Sequence, residues 1–425
     1  MFCNYACNSN DHEISRRSFL KGVTAGAAGA VGFGGMIGSA GAQALTTTQK
    51  HVVVFYLAGG VSQLETWDPK PGVETGGPFD KIQTSVPGIE ISELLPLTAQ
   101  QMHHLALIRS INHKEGDHAK GDYIMQTGMK QTPGFEYPYL GSVMAKQLTP
   151  PESPLPGYIH VGGGGSKAEA AFLGPKYAPL SLNDGNPPAN LSRPATLTEL
   201  SDAKRREFRN KLSQRFIAGR RQAETEVYNQ SYDQAMKLMS KKEIFDFNRM
   251  TDLDLERYGK HDFGRHCLMA RNLIESGVTF VKVSHSNYDS HSENFNFHIE
   301  QLGEFDRPFS AFVADMAARS MLDNVLIIVM SEFGRTPNIN ARVGRDHWGT
   351  AWSICLGGAG IKKGVAVGKT NDKGTAVVDR EVDGGHLFHT YYRAVGLDPT
   401  KNFFDEGRPV TKADPKASAI TEILA

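Results

Sequence analysis

Residues 323–358 read DNVLIIVMSEFGRTPNINARVGRDHWGTAWSICLGG, and this stretch decides the fold. Asn324 to Met330 is a short apolar run rich in β-branched residues, the pattern of a strand buried on both faces of a parallel sheet. Polar groups follow at once: Ser331, Glu332 and Arg335, then Arg345, Asp346 and His347. Ligand sites in open α/β sheets lie off the carboxyl ends of the strands, so these groups stand where chemistry is done. A second apolar run, Ala351 to Leu356, ends in Gly357-Gly358.

The same alternation of apolar run and polar loop recurs on both sides. His51 to Leu57 (HVVVFYL) predicts a first buried strand, with Ala58-Gly59-Gly60 as the turn beyond it. Ser62, Glu65 and Asp68 follow as local polar candidates. Leu105 to Ile108 predicts another strand, feeding a polar segment that contains His118. An imidazole at that point can serve as nucleophile, base or ligand, or as a hydrogen-bonded structural group.

His266 to Gly277 reads as a helix leading into the strand Val278 to Val283. That strand ends in Ser284-His285-Ser286-Asn287-Tyr288-Asp289-Ser290-His291. His285, Asp289 and His291 offer nitrogen and oxygen donors suited to a divalent ion. An amphipathic helix from Phe305 to Leu322 then returns to the central strand, completing a βαβ crossover.

Residues 150–194 are dense in Gly and Pro and predict a long irregular excursion, a lid or an interaction surface. Its Gly162–Gly165 run precedes Lys167 but lacks the pattern of a phosphate-binding loop. Residues 201–254 predict a helical subdomain, with basic pairs on a solvated face. A terminal helix is expected over His389 to Leu397, and His386 and His389 could approach the site.

The 425 residues suit one to three domains. Lys plus Arg and Asp plus Glu both total 46, so bulk charge argues for neither nucleic acid nor an acidic membrane surface. Ser15-Arg16-Arg17-Ser18-Phe19-Leu20-Lys21 before an Ala/Gly-rich stretch resembles a twin-arginine export signal, with a cleavage pattern at Ala42-Gln43-Ala44. The stretch is too rich in Gly and Ala for a good membrane helix, so no stable span is expected after cleavage. Cys3 and Cys7 leave with the leader; Cys267 and Cys355 read as buried free thiols. With no cysteine pair or haem motif, redox chemistry has no support.

SEFGRTP followed by GRDHW resembles the family called domain of unknown function 1501. The order of motifs is also similar to the alkaline phosphatase superfamily, which includes sulfatases and phosphopentomutases. The resemblance implies an α/β fold: a three-layer α/β/α sandwich around a mainly parallel sheet over residues 45–425, with a leader over 1–44 and an irregular and helical insertion at about 150–257. It implies a metal set of Asp289, His291, Glu332 and His347, with His285 nearby, for zinc, manganese or calcium. His118 falls near the nucleophile position, and Arg335 or Arg345 would hold the substrate anion. Ala58, His118 and Phe333 depart from the superfamily pattern, which points to one ion rather than a close pair. Two readings stay open. One is a periplasmic or extracellular hydrolase of phosphate or sulfate esters, small or polysaccharide; the other is a noncatalytic binding or assembly protein on the same scaffold.

Overall fold

The computed structural model describes residues 49–184, 191–219, 222–245, 250–405 and 407–425. The leader expected over 1–44 lies outside them. Eight strands form the main sheet: β1 (His51–Leu57), β2 (Leu105–Ile111), β3 (Tyr158–Val161), β4 (Leu180–Leu182), β5 (Phe280–His285), β6 (Val325–Met330), β7 (Trp352–Gly357) and β8 (Val365–Val367). The helices used below are α1 (His118–Thr127), α2 (Leu140–Leu148), α3 (Glu199–Gly219), α4 (Gln222–Met239), α5 (Asp262–Glu275), α6 (Asn294–Ala318) and α7 (Gly384–Ala394).

The strand order is β8-β2-β7-β6-β1-β5-β3-β4. β1 pairs in parallel with β5 and β6, and β3 with β4 and β5; β7 alone runs against its neighbours β2 and β6. This is the mainly parallel sheet expected. β3 and β4 come from the stretch read as an irregular excursion, which therefore supplies one edge of the sheet. Their shortness, three and four residues, is what hid them among the Gly and Pro.

Alternate residues of each central strand feed opposite cores, as the two-residue period of a strand requires. Val53, Phe55 and Leu57 pack with Val281, Val283 and the apolar faces of α5 and α6. Val52, Val54 and Tyr56 pack with Leu326, Ile328 and residues of α1, α2 and α7. Both faces are covered, giving three layers. Each fully buried Val, Leu, Ile or Phe contributes about 1.5–3 kcal/mol by leaving water, so this double core is the main source of stability.

α5 runs through Cys267, which is buried and free, as is Cys355 on β7. α6 begins at Asn294, well before the expected Phe305, because the polar Asn294 and His298 are themselves buried against the site loops. α3 and α4 form the expected helical insertion, and Leu238 and Phe245 tie its end to the first core. No helix among the described residues is long and apolar enough to cross a membrane.

Candidate metal centre

Parallel strands deliver their carboxyl ends to one edge, and four of the site's loops leave from there. β1 leads to Gly59, β5 leads to Asp289 and His291, and β6 leads to Glu332 and Arg335. β2 leads through Gly116 to His118 at the start of α1. The reversed direction of β7 puts its beginning on this same edge, so the chain entering it carries His347 to the other groups.

Asp289 is the centre. His347 Nε2 lies 3.1 Å and His291 Nε2 3.2 Å from its Oδ1, and His118 Nε2 lies 3.4 Å from its Oδ2. The two nitrogens of His291 and His347 are 3.0 Å apart. His118, Asp289 and His347 each place one donor atom within 4.8 Å of the others. Every one of the three rings is anchored through its other nitrogen. His118 Nδ1 donates to Glu332 Oε1 at 2.8 Å, His291 Nδ1 to Asp346 Oδ1 at 2.7 Å, and His347 Nδ1 to the Gly116 carbonyl at 2.6 Å.

These anchors fix the tautomer, because a carbonyl or carboxylate oxygen only accepts. Each neutral ring then turns an Nε2 lone pair toward Asp289. Lone pairs gathered round a carboxylate at 3.1–3.4 Å repel unless protons or a cation sit among them. A tetrahedral zinc with ligands at about 2.0–2.1 Å separates its donors by about 3.3 Å. The donor set fits a divalent ion.

Glu332 is buried and organises the strand ends. The Gly59 amide donates to Oε1 at 2.8 Å, and Ser331 Oγ lies 2.9 Å from Oε2. Burial works against its ionisation, but hydrogen bonds from His118, Ser331 and Gly59 outweigh it and hold the carboxyl below its usual range. The Glu332 bond in turn raises the His118 pKa. Asp289 is likewise opposed by burial, and the Arg335 guanidinium overcomes that and keeps it ionised. His113, which the sequence reading passed over, donates from Nε2 to the Glu332 carbonyl at 2.9 Å and accepts the Glu115 amide.

Two glycines let the loops touch. Gly59 sits at φ +115°, and a β-carbon there would lie 2.5 Å from the Asp289 amide nitrogen. A β-carbon on Gly344 would stand 2.0 Å from the His291 carbonyl oxygen.

The arginines differ from expectation. Arg335 is fully buried and donates to the carbonyls of Gly59, Gly60 and Arg345, and to Asp289 Oδ1 at 2.5 Å. It positions Asp289 and offers no open fork to a substrate. Arg345 is fully buried too, bonded to Glu65 at 2.8 Å and to the carbonyls of Thr75, Thr336 and Pro337. It does not reach the cluster, so an anion-holding role does not suit it. His285 points into the first core, stacked on Phe263 and paired with Tyr288 and Glu304. Burial pulls its pKa to about 4, against a partial rise from Glu304, and it lies outside the donor set. Glu332 touches the set through His118.

Of the earlier candidates, Ser62 accepts the Leu64 amide and Asp68 pairs with Lys70 and Thr370, all in buried loop structure. His386 and His389 bond Asp383 and the Asp414 carbonyl. Phe333, where the superfamily pattern has histidine, packs its ring 4.4 Å from that of His347 and 4.9 Å from that of His118.

Comparison with the curated proteins finds no match. Several solved structures are similar in chain course. An alkaline phosphatase from the Antarctic bacterium TAB5 shares 12% identity over 83% of this chain and 99% of its own, with a TM-score of 0.37. A sulfatase from Pseudoalteromonas sp. shares 11% over 84% and 69%, with a TM-score of 0.41. The lipoteichoic acid synthase LtaP from Listeria monocytogenes shares 6% over 87% and 76%, with a TM-score of 0.38. Residues 49–424 match the family model described as protein of unknown function DUF1501, and the chain belongs to that family.

Proposed function

We propose that Asp289, His291 and His347 hold one divalent metal ion and that the protein is a hydrolase of phosphate or sulfate esters working outside the cytoplasm. The observation that carries this reading is the common posture of three imidazoles, each anchored at Nδ1 and turned at Nε2 toward one carboxylate. Outer partners of this kind fix the tautomer and orientation of metal-binding histidines. Imidazole donors favour zinc and count against manganese and calcium, which prefer oxygen ligands.

A bound ion would supply Lewis-acid polarisation of the ester. The chain's own part is positioning and proton handling. Arg335 keeps Asp289 ionised and in place. His118 stays outside the ligand set, held by Glu332 on Nδ1 so that Nε2 can take or give a proton facing the cluster. Phe333 covers the rings of His118 and His347 with an apolar side chain and adds no donor for a second ion, which supports a single-metal centre.

The test is elemental analysis of protein purified without chelator or added metal, alongside hydrolysis of aryl phosphates and aryl sulfates. One ion per chain is expected, lost together with hydrolysis in His347→Ala and kept in His118→Ala, where only hydrolysis is lowered. Loss of the ion in His118→Ala would move His118 into the ligand set. No ion and no hydrolysis would return the binding-protein reading. Export by the twin-arginine route rests on Arg16-Arg17; replacing both with Lys should leave full-length protein in the cytoplasm, and unchanged export would refute it.

A further inference from the structure

The Gly162–Gly165 run leaves β3 at the same edge of the sheet and lies on His160 and Ser284. A β-carbon on Gly163 would stand 2.8 Å from His160 Nε2 and 3.1 Å from Ser284 Oγ, so no side chain fits beneath the run. His160 Nε2 and Ser284 Oγ are themselves 2.8 Å apart. Next to them on β5, in register with His160, is Lys282.

Lys282 is only 6% exposed, and its ammonium stands 4.2 Å from the centroid of the Tyr56 ring. Among the described residues it has no hydrogen bond and no carboxylate within ion-pair distance. Asp122, facing it from α1, gives its oxygens to Tyr56, Gln126 and Tyr139. Glu169 serves Tyr158 and the Ser166 amide. A buried cation without a counter-charge is left uncompensated, and a π face offsets only part of that.

The surroundings suit an anion. Burial first, and then the Lys282 charge, pull His160 down to about 3, so it stays neutral and can donate from Nε2 to Ser284, freeing the hydroxyl proton to point outward. The amides of Gly163 and Gly164 have no acceptor among the described residues. A β-carbon on Gly164 would meet nothing nearer than 3.9 Å, so the run is open on that side. The glycine run lacks the lysine of a phosphate loop in sequence, and the neighbouring strand provides one in space.

We propose that Lys282, Ser284 and the amides of Gly163 and Gly164 form an anion subsite for a second phosphate or sulfate group of a multiply charged substrate. The word substrate rests on the hydrolase reading; the binding of the anion does not. Lys282 and Ser284 lie on β5, the strand that leads to Asp289, so a second charged group would sit on the same edge of the sheet as the proposed metal centre.

Calorimetric titration of the full-length protein with inorganic sulfate, and separately with inorganic phosphate, tests the subsite. The His347→Ala background removes the metal centre from the measurement. Saturable binding should persist there, weaken at least tenfold on adding Lys282→Met, and weaken severalfold on adding Ser284→Ala, with circular dichroism unchanged. Should Lys282→Met fail to fold, Ser284→Ala and Gly164→Ala, whose methyl occupies the open side of the run, carry the comparison. Absence of saturable anion binding, or equal binding in these variants, overturns the subsite. Anion binding retained without metal or hydrolysis would sink only the hydrolase reading.

Discussion

At Asp289 three imidazoles and one guanidinium converge on two carboxylate oxygens, so every partner of those four groups bears on the proposed ion. Arg335→Lys keeps the charge but loses the fork that joins Asp289 to two loops of carbonyls. Glu332→Gln keeps the shape but loses the acceptor that fixes His118. Replacing an outer partner of a metal-binding group costs about 10–100-fold in metal affinity or activity. For Arg335→Lys the loss should appear in metal affinity, measured by competition with a chromophoric chelator. For Glu332→Gln it should appear in turnover, with metal affinity nearly unchanged. A Glu332→Gln protein as active as wild type would remove His118 from proton transfer.

Single elements explain how far the sequence could be read. Central strands announce themselves, since β1, β6 and β7 are unbroken apolar runs that must be buried on both faces. Glu332 follows β6 and His347 precedes β7, which is why the sequence drew attention to them, while Asp289 and His291 follow β5, whose apolar run Lys282 interrupts. The partner of Arg345 was not: Glu65 lies 280 residues away, and nothing local distinguishes a buried arginine from an exposed one. The Gly116 carbonyl has no side-chain signature at all, and His113 looks like any loop histidine. Gly59 was visible only as a turn, yet it presses on the Asp289 backbone. Gly59→Ala should therefore weaken metal binding although it removes no donor; unchanged affinity would show that the Asp289 loop can yield. α1 is capped by Asp117, whose carboxylate accepts the Lys120 amide. Asp117→Ala should cost about 0.5–2 kcal/mol in denaturant unfolding.

For the molecule as a whole, acid sensitivity has a definite source. His160 titrates at about 3 when folded, against about 6.5 in an unfolded chain. Between those values the unfolded chain binds a proton that the folded one does not. Stability is therefore full above about pH 6.5 and declines as pH falls toward 3. At pH 5 this one group removes about 2 kcal/mol, at ~1.4 kcal/mol per pH unit. Unfolding curves at pH 7.5 and 5 should show a smaller loss in His160→Gln than in wild type.

The long separations at the centre carry a last consequence, for assembly in time. His118 meets Glu332 across 214 residues, His347 meets Gly116 across 231, and Asp289 meets His347 across 58. Closing loops of that size is late work in folding, so the nascent chain has no nucleus for the ion and a nicked fragment keeps no complete set. An ion that binds only the finished form adds about 4 kcal/mol when free metal is a thousandfold above its Kd. Under the proposed function such an ion would act as a clasp over the whole chain, and the metal content of a preparation would count its correctly folded molecules.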